Sequence, residues 1–306
     1  MDAGGDGRLS LPRRVLLDTG DGLRFVAPQP VSEAEFLYHE IFVRQSYLQH
    51  GVTLNSKGSP VVIDAGANIG LFGLFCMKLN PRTRVVACEP SPSLFPILQR
   101  NVAAHDSVKC VRLALGAKYA TARIHCFSDA PAESSTRPAE REQQRRRVAA
   151  AGASGISSHL HAIAFNSSHA PTSAPHHVAV CDVRTVSWLM REEALPVIDL
   201  LKVDVEGDEL EVIRGILASD WSRIKQVVAE VHDVNGRLDR IVKLLRRHRM
   251  TVVAVRQSGG LFEGYQMVIP HELRLYYVYA TRRPRNHKRP AQAPQGGGRT
   301  TKRSQS

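Results

Sequence analysis

The chain changes hydrophobic period as it runs. Short apolar runs bounded by Gly, Pro or Asp alternate with stretches in which apolar residues recur every three or four positions. The first kind predicts strands at 61–64, 84–88, 108–113, 197–203, 225–231, 251–256 and 275–281, with a further β-like run at 121–127. The second predicts helices over 70–79, 93–104, 185–193, 208–217 and 236–248. In 236–248, Leu238, Ile241, Val242 and Leu245 share one face. In 208–217, Asp208, Glu209 and Glu211 crowd the first turn, where the helix dipole favours negative charge. Pro81, Pro90 and Pro92 mark breaks. Such alternation implies an α/β fold: a doubly wound, mostly parallel sheet with helices on both faces and an antiparallel hairpin at one edge.

The flanks read differently. Residues 1–12 have no pattern and are expected to be disordered, and 13–27 carry two short β-like runs. A helix is expected from about Val31 to Gly51, with Ser32 as its cap and Glu35 completing a capping box. His39 and Glu40 lie on this helix, either as part of a lid over the site or on an exposed face. Residues 128–177, with "EREQQRRR" and then much Ala, Gly, Ser and His, keep no period and are expected to be a mostly disordered insertion. The irregular spacing of His159, His161, His169, His176 and His177 favours solvated side chains over a metal tract. This organisation amounts to one domain over 13–281, preceded by 1–12 and followed by a basic tail, 282–306.

Composition adds little to the fold and more to the tail. Of the 306 residues 43% are hydrophobic, and no run approaches the roughly 18 apolar residues of a membrane span. The N-terminus has no secretory apolar core, so the cytoplasm is expected, with an organelle or the nucleus left open. Five cysteines without a CxxC pair suggest reduced, buried thiols. Eight positive charges of the net +12 sit in the tail, leaving +4 for the rest. The tail is either plainly solvated or a contact for RNA, an acidic partner or a membrane surface.

The chemistry starts at "VVIDAGANIGLFGLF", residues 61–75. After Gly66, Asn68 stands where a dinucleotide turn has its second glycine, and Leu71 where it has its third. No P-loop Lys follows. Asp64 at the strand tip repels phosphate and welcomes a cation. Glu89, at the tip of the next strand, is placed to accept from ribose hydroxyls. The expected ligand is an adenosine compound with an amino group and no phosphate, namely S-adenosylmethionine. Its candidate binding residues are Asp64, Gly66, Ala67, Asn68, Gly70 and Glu89.

Together "VVIDAGANIGLF", "ACEPSPSLFPILQRNV" and "LLKVDVEGDELEVIRGI", with "VVAEVHD" and "YHEIF", resemble the FkbM-type methyltransferases, a branch of the class I S-adenosylmethionine-dependent enzymes. The resemblance covers roughly 31–127 and 178–281, and the insertion departs from it. It implies a seven-stranded sheet and transfer of a methyl group to a hydroxyl of a small-molecule or glycan-like acceptor. Methyl transfer needs an acceptor held in line and, often, deprotonated. Asp204, Glu206, Glu230 and His232 lie at strand ends, where ligands sit in such sheets. Asp204 is expected to face the methionine part of the cofactor or the acceptor. Glu206 either orients the acceptor or caps a helix. Glu230 and His232, two apart, should face the same side, with His232 as proton acceptor or as a structural residue. A divalent ion on Asp204, Glu230 and His232 is the less favoured arrangement, and no metal is assigned. Two rival functions remain: an RNA methyltransferase, through the tail and "RRR" at 145–147, and a non-catalytic cofactor-binding protein, against which the intact turn stands.

Overall fold

The computed structural model describes residues 14–20, 22–29, 31–54, 57–127, 131, 134–152, 176–257, 260–262, 265–267 and 273–282. The chain begins with a hairpin of β1 (Arg14–Asp18) and β2 (Arg24–Pro28), followed by α1 (Ser32–Tyr38) and a π turn (His39–Val43). Next come β3 (Val61–Ala65), α2 (Leu71–Leu79), β4 (Arg84–Cys88), α3 (Phe95–Asn101), β5 (Val108–Val111), β6 (Ala114–Leu115), β7 (Ala120–Phe127) and α4 (Pro138–Gly152). The second half holds β8 (His176–Arg184), α5 (Val186–Glu192), β9 (Leu200–Val203), α6 (Glu209–Arg214), β10 (Gln226–His232), α7 (Arg237–Arg247) and β11 (Met250–Arg256). It closes with β12 (Gly260–Phe262), β13 (Tyr265–Met267) and β14 (Leu275–Arg282).

The central sheet has seven strands in the order β11-β14-β10-β9-β3-β4-β5. β10, β9, β3, β4 and β5 run parallel, and β14 pairs antiparallel with both β10 and β11, as the strand pattern predicts. The parallel strands are covered on both faces, so their sequences read as near-continuous apolar runs. Residue parity sorts them. Val62, Leu200 and Val228 join the core under α1, α2 and α3, whereas Ile63, Leu201, Val203, Val227 and Ala229 join the core under α5, α6 and α7. The first face also receives polar residues at the same parity. Asp64 lies opposite Lys202 in parallel register, and Glu230 opposite Tyr277.

The N-terminal helix differs from its expected form. Val31 already has helical dihedrals, with φ −70° and ψ −19°, so Ser32 lies one residue inside the helix and makes no side-chain cap; the capping box with Glu35 does not form. After Tyr38 the hydrogen bonds lengthen to a π pattern, and the left-handed Gln45, φ 50°, ends the run well before Gly51. Tertiary anchors explain the early end. The Tyr279 hydroxyl donates to Ser46 O at 2.6 Å, and Tyr47 turns down to Asp204. Glu40 is buried and bonded by the Tyr277 hydroxyl, so it does not lie on an exposed helix face.

The insertion differs more. Within 128–177, residues 138–152 form α4. "PAEREQQRRR" is rich in good helix formers but has no apolar stripe, so a periodicity search passes over it. β7 and β8 bracket the insertion as an antiparallel pair. Residues 1–13, 153–175 and 283–306, with the expectations that fall on them, lie outside the described residues. All five cysteines are unpaired, and Cys76, Cys88, Cys126 and Cys181 are buried. Among the described residues no helix is long and apolar enough to cross a membrane.

Candidate active site

The turn from β3 to α2 is shaped by sterics. Gly66 has φ 78°, and a Cβ there would lie 1.6 Å from the Asp204 carbonyl oxygen, so only glycine lets the turn pack against the end of β9. Asn68, at φ 51°, takes a left-handed position that Asn tolerates better than most residues. The amides of Gly66 and Ala67 both donate to Cys88 O at 3.0 Å, that of Gly70 donates to Ala67 O at 2.8 Å, and that of Asn68 to Glu89 Oε2 at 2.9 Å. A phosphate-binding turn must aim such N–H groups at its ligand. Here they are engaged internally, with a carboxylate at their centre. The absence of a phosphate signature in the sequence thus has a geometric counterpart.

Glu89 is the hinge of this arrangement. Its other oxygen accepts from the Ser91 amide at 2.9 Å. Burial pushes its carboxyl up to about 7, against the pull of the Ser91 and Asn68 amides. Each oxygen keeps acceptor capacity for a hydroxyl. Asp64 departs from its expected role. It is fully buried, and the cation it meets is Lys202, whose Nζ donates to Asp64 Oδ1 and to Gly66 O, both at 3.0 Å. Asp64 Oδ2 is buried and finds no hydrogen-bond partner among the described residues. Asp204 lies nearer the surface, accepting from the Tyr47 hydroxyl at 2.9 Å, with Lys202 Nζ at 3.5 Å. This layer is acid-rich: burial pushes Glu40 up to about 8 and Glu230 well above the ordinary carboxylate range, with Asp204 adding to both. The carboxylates of Glu89 and Asp204 thus flank a turn whose Gly66, Ala67, Asn68 and Gly70 amides are bonded within the protein.

The other half of the site is an ion network. The turn after β9 is left-handed at two successive residues, Glu206 (φ 55°) and Gly207 (φ 117°). The insertion clamps it. Ser135 Oγ donates to Glu206 O at 2.7 Å, Arg137 Nε to Asp208 Oδ1 at 2.5 Å, and Arg141 pairs with Glu206 Oε2 at 3.0 Å. Arg141 Nη1 also lies 3.0 Å from His232 Nε2, and His232 Nδ1 is 3.3 Å from Glu209 Oε1. With both its nitrogens so engaged, His232 has Nδ1 as the donor and Nε2 as the acceptor. Arg237 pairs with Glu140 of α4 and donates to His232 O at 2.6 Å. A cleft of about 280 Å³ opens beside Gly207, lined by Arg137, Glu140, Asn235 and Arg237 among others.

The structure therefore brings Asp204, Glu206 and His232 to the carboxyl ends of β9 and β10. Glu230 and His232 do not share their partners: Glu230 accepts from Gln257 at 3.0 Å, while His232 faces Glu206, Glu209 and Arg141. Among the described residues no group of three or more His, Cys, Asp or Glu is placed to hold a metal ion, so Asp204, Glu230 and His232 do not form the ligand set considered from sequence. Sequence reasoning missed Lys202, Tyr47, Tyr277 and Arg141. Lys202 had a signal, a lone cation inside the apolar strand "LLKV". Arg141 had none.

Residues 64–252 match the family described as the methyltransferase FkbM domain. The 31-O-demethyl-FK506 methyltransferase FkbM of Streptomyces tacrolimicus is 38% identical over 248 residues, which cover 79% of this chain and 90% of that protein. The methyltransferase sdnD of Sordaria araneosa is 31% identical over 228 residues, covering 70% and 80%. A solved FkbM methyltransferase from Methylobacillus flagellatus is a looser likeness, at 13% identity and TM-score 0.45 over 80% of this chain and 52% of that one. The domain match and the two relatives at 38% and 31% identity show that the chain belongs to the FkbM methyltransferase family of S-adenosylmethionine-dependent enzymes.

Proposed function

We propose that this methyltransferase acts on a hydroxyl of a small molecule, with His232 taking the acceptor proton. The observation that carries the reading is the mounting of His232: one imidazole at the end of β10, held at Nδ1 by Glu209 and directed at Nε2 toward Glu206 and Arg141. Bound S-adenosylmethionine supplies an electrophilic methyl group on a sulfonium. The acceptor oxygen bonds to the methyl carbon as the carbon–sulfur bond breaks and its electron pair goes to sulfur. The hydroxyl proton passes to His232 Nε2. For that, Arg141 must leave Nε2 and stay on Glu206, which it already meets at 3.0 Å. The cleft beside Gly207 adjoins this group through Arg237, which lines it and donates to His232 O.

The cofactor roles belong to the same reading. Gly66, Ala67, Asn68 and Gly70 shape the floor, Glu89 accepts from the ribose hydroxyls, and Asp204, backed by Asp64, faces the ammonium. Glu206 orients the acceptor, and Glu230, held by Gln257, lies behind Asp204 as a carboxyl that burial and Asp204 keep from ionising readily. The Streptomyces relative is named for an O-demethyl substrate, which agrees with oxygen as the acceptor atom. The test uses labelled S-adenosylmethionine with a panel of hydroxylated small molecules, 31-O-demethyl-FK506 included, beside amine-only counterparts. Methyl ether formation that His232→Ala reduces by about 100-fold or more supports the reading. Label transferred only to amines, or ether formation untouched in His232→Ala, would sink it.

A further inference from the structure

Strand β9 reads LLKV, so one cation sits between apolar neighbours. Lys202 is only 3% exposed. Its Nζ reaches three groups: Asp64 Oδ1 at 3.0 Å, Gly66 O at 3.0 Å and Asp204 Oδ2 at 3.5 Å. It also stands 5.1 Å from the Tyr47 ring centroid and 5.7 Å from that of Phe72. A buried lysine is costly, and a well-packed apolar residue serves stability at least as well. At this position, however, an apolar side chain leaves the Gly66 carbonyl without its donor and sets two carboxylates near each other with no cation between them.

We infer that Lys202 is a positioning residue for cofactor binding: its ammonium pins the Gly66 carbonyl and lets Asp64 and Asp204 be ionised together, so that Asp204 presents a full negative charge to the ammonium of S-adenosylmethionine. The inference rests on the cofactor roles proposed above. Its charge environment is otherwise acidic. Glu40 faces the cluster from the π turn and Glu230 from β10, with the Tyr277 hydroxyl on Glu40. From α2 come Phe72 and Cys76, and Arg44 is the other cation that acts on Glu40. Burial works against the charge on Lys202, but Asp64 and Asp204 outweigh it and hold the amine above the ordinary lysine range. Burial already pushes the Asp64 carboxyl up, Asp204 adds to that and Lys202 pulls it down, so without that cation the pair holds a shared proton at neutral pH.

The test is titration with S-adenosylhomocysteine, which keeps the amino group, at pH 6.5 and 8.5. Wild type is compared with Lys202→Met and with Lys202→Met/Asp64→Asn, folding being checked by circular dichroism. The single variant should bind at least about tenfold more weakly than wild type at pH 6.5, and the gap should shrink severalfold at pH 8.5 as the shared proton leaves. The double variant, with no second carboxylate, should bind more tightly than the single one at pH 6.5, with a gap to wild type that does not change with pH. Folded variants equally weak at both pH values overturn the inference, because a packing role predicts no pH rescue. If only the double variant folds, a gap to wild type that is the same at both pH values supports the inference and loss of binding overturns it. Failure of both to fold assigns Lys202 to the core and also overturns it. Wild type that binds no S-adenosylhomocysteine removes the cofactor reading itself, an outcome distinct from any pattern among the variants.

Discussion

The two ends of the site are built in different ways. The proposed cofactor end takes most of its shape from one nearly continuous stretch, residues 61–89, packed on Lys202 and Asp204, and that shape follows from chain sterics: a glycine that must touch a carbonyl, a left-handed Asn and a carboxylate that closes the turn. The acceptor end is assembled from segments far apart in sequence. Arg141 meets His232 across 91 residues, and Glu140 meets Arg237 across 97. The first end has apolar packing immediately behind it on α2, while the second is held mainly by charge pairs between α4, α6 and α7. Local sterics specify a conformation wherever the chain goes, but charge pairs specify one only after the fold has brought the partners together.

If this contrast is right, damage at one end should stay there. The largest effect is expected at Gly66. Gly66→Ala places a methyl group 1.6 Å from the Asp204 carbonyl in a left-handed conformation, so it should cost several kcal/mol and abolish S-adenosylhomocysteine binding, as read by thermal melting and calorimetry. A variant of near-native melting temperature would refute the steric account.

Glu40 comes next. Its folded pKa of about 8 lies above the ordinary 4.5, so between those values the folded state holds a proton that the unfolded state releases. The stability this gives is complete below pH 4.5 and is lost as pH rises to about 8. Glu40→Gln cannot ionise, so it should be the more stable form at pH 8.5 by a few kcal/mol, with the difference closing toward pH 4.5. Denaturant midpoints across that range check it, and a difference independent of pH would contradict it.

The acceptor end should give a smaller loss of another kind. Arg141→Ala removes one partner from each of Glu206 and His232 and should lower stability by about 1–3 kcal/mol, while S-adenosylhomocysteine affinity stays within about twofold. An equal loss at the cofactor end would mean that the two ends are coupled. The smallest effect is expected from pH alone. Burial holds Glu89 at about 7, and only its ionised form accepts from two hydroxyls, so cofactor affinity should rise severalfold from pH 6 to 8 in wild type and stay flatter in Glu89→Gln.

Much of this was legible in the chain. Alternating periods predicted the parallel sheet and its antiparallel edge, and the spacing from Asp64 to Glu89 marked the two strand tips between which the glycine turn lies, because both depend on residues close in sequence. What was not legible has a physical reason in each case. α4 carries no apolar stripe, so it gives no periodic signal. The end of α1 depends on Tyr47, Tyr277 and Tyr279 finding partners across the sheet. Asp64 looked like an open carboxylate because a strand tip usually faces solvent, and only the register with β9 shows Lys202 opposite it.

The sequence by itself determined the order of the central strands and the helices between them, α4 excepted, the shape of the glycine turn and membership of the family, since these rest on local conformational preference and short-range pattern. The tertiary structure decided which charges meet. Lys202 lies between Asp64 and Asp204, and Arg141 on His232 and Glu206, because strand register and helix docking set distances of a few ångströms between residues far apart in the chain, and Coulomb interactions depend on those distances alone.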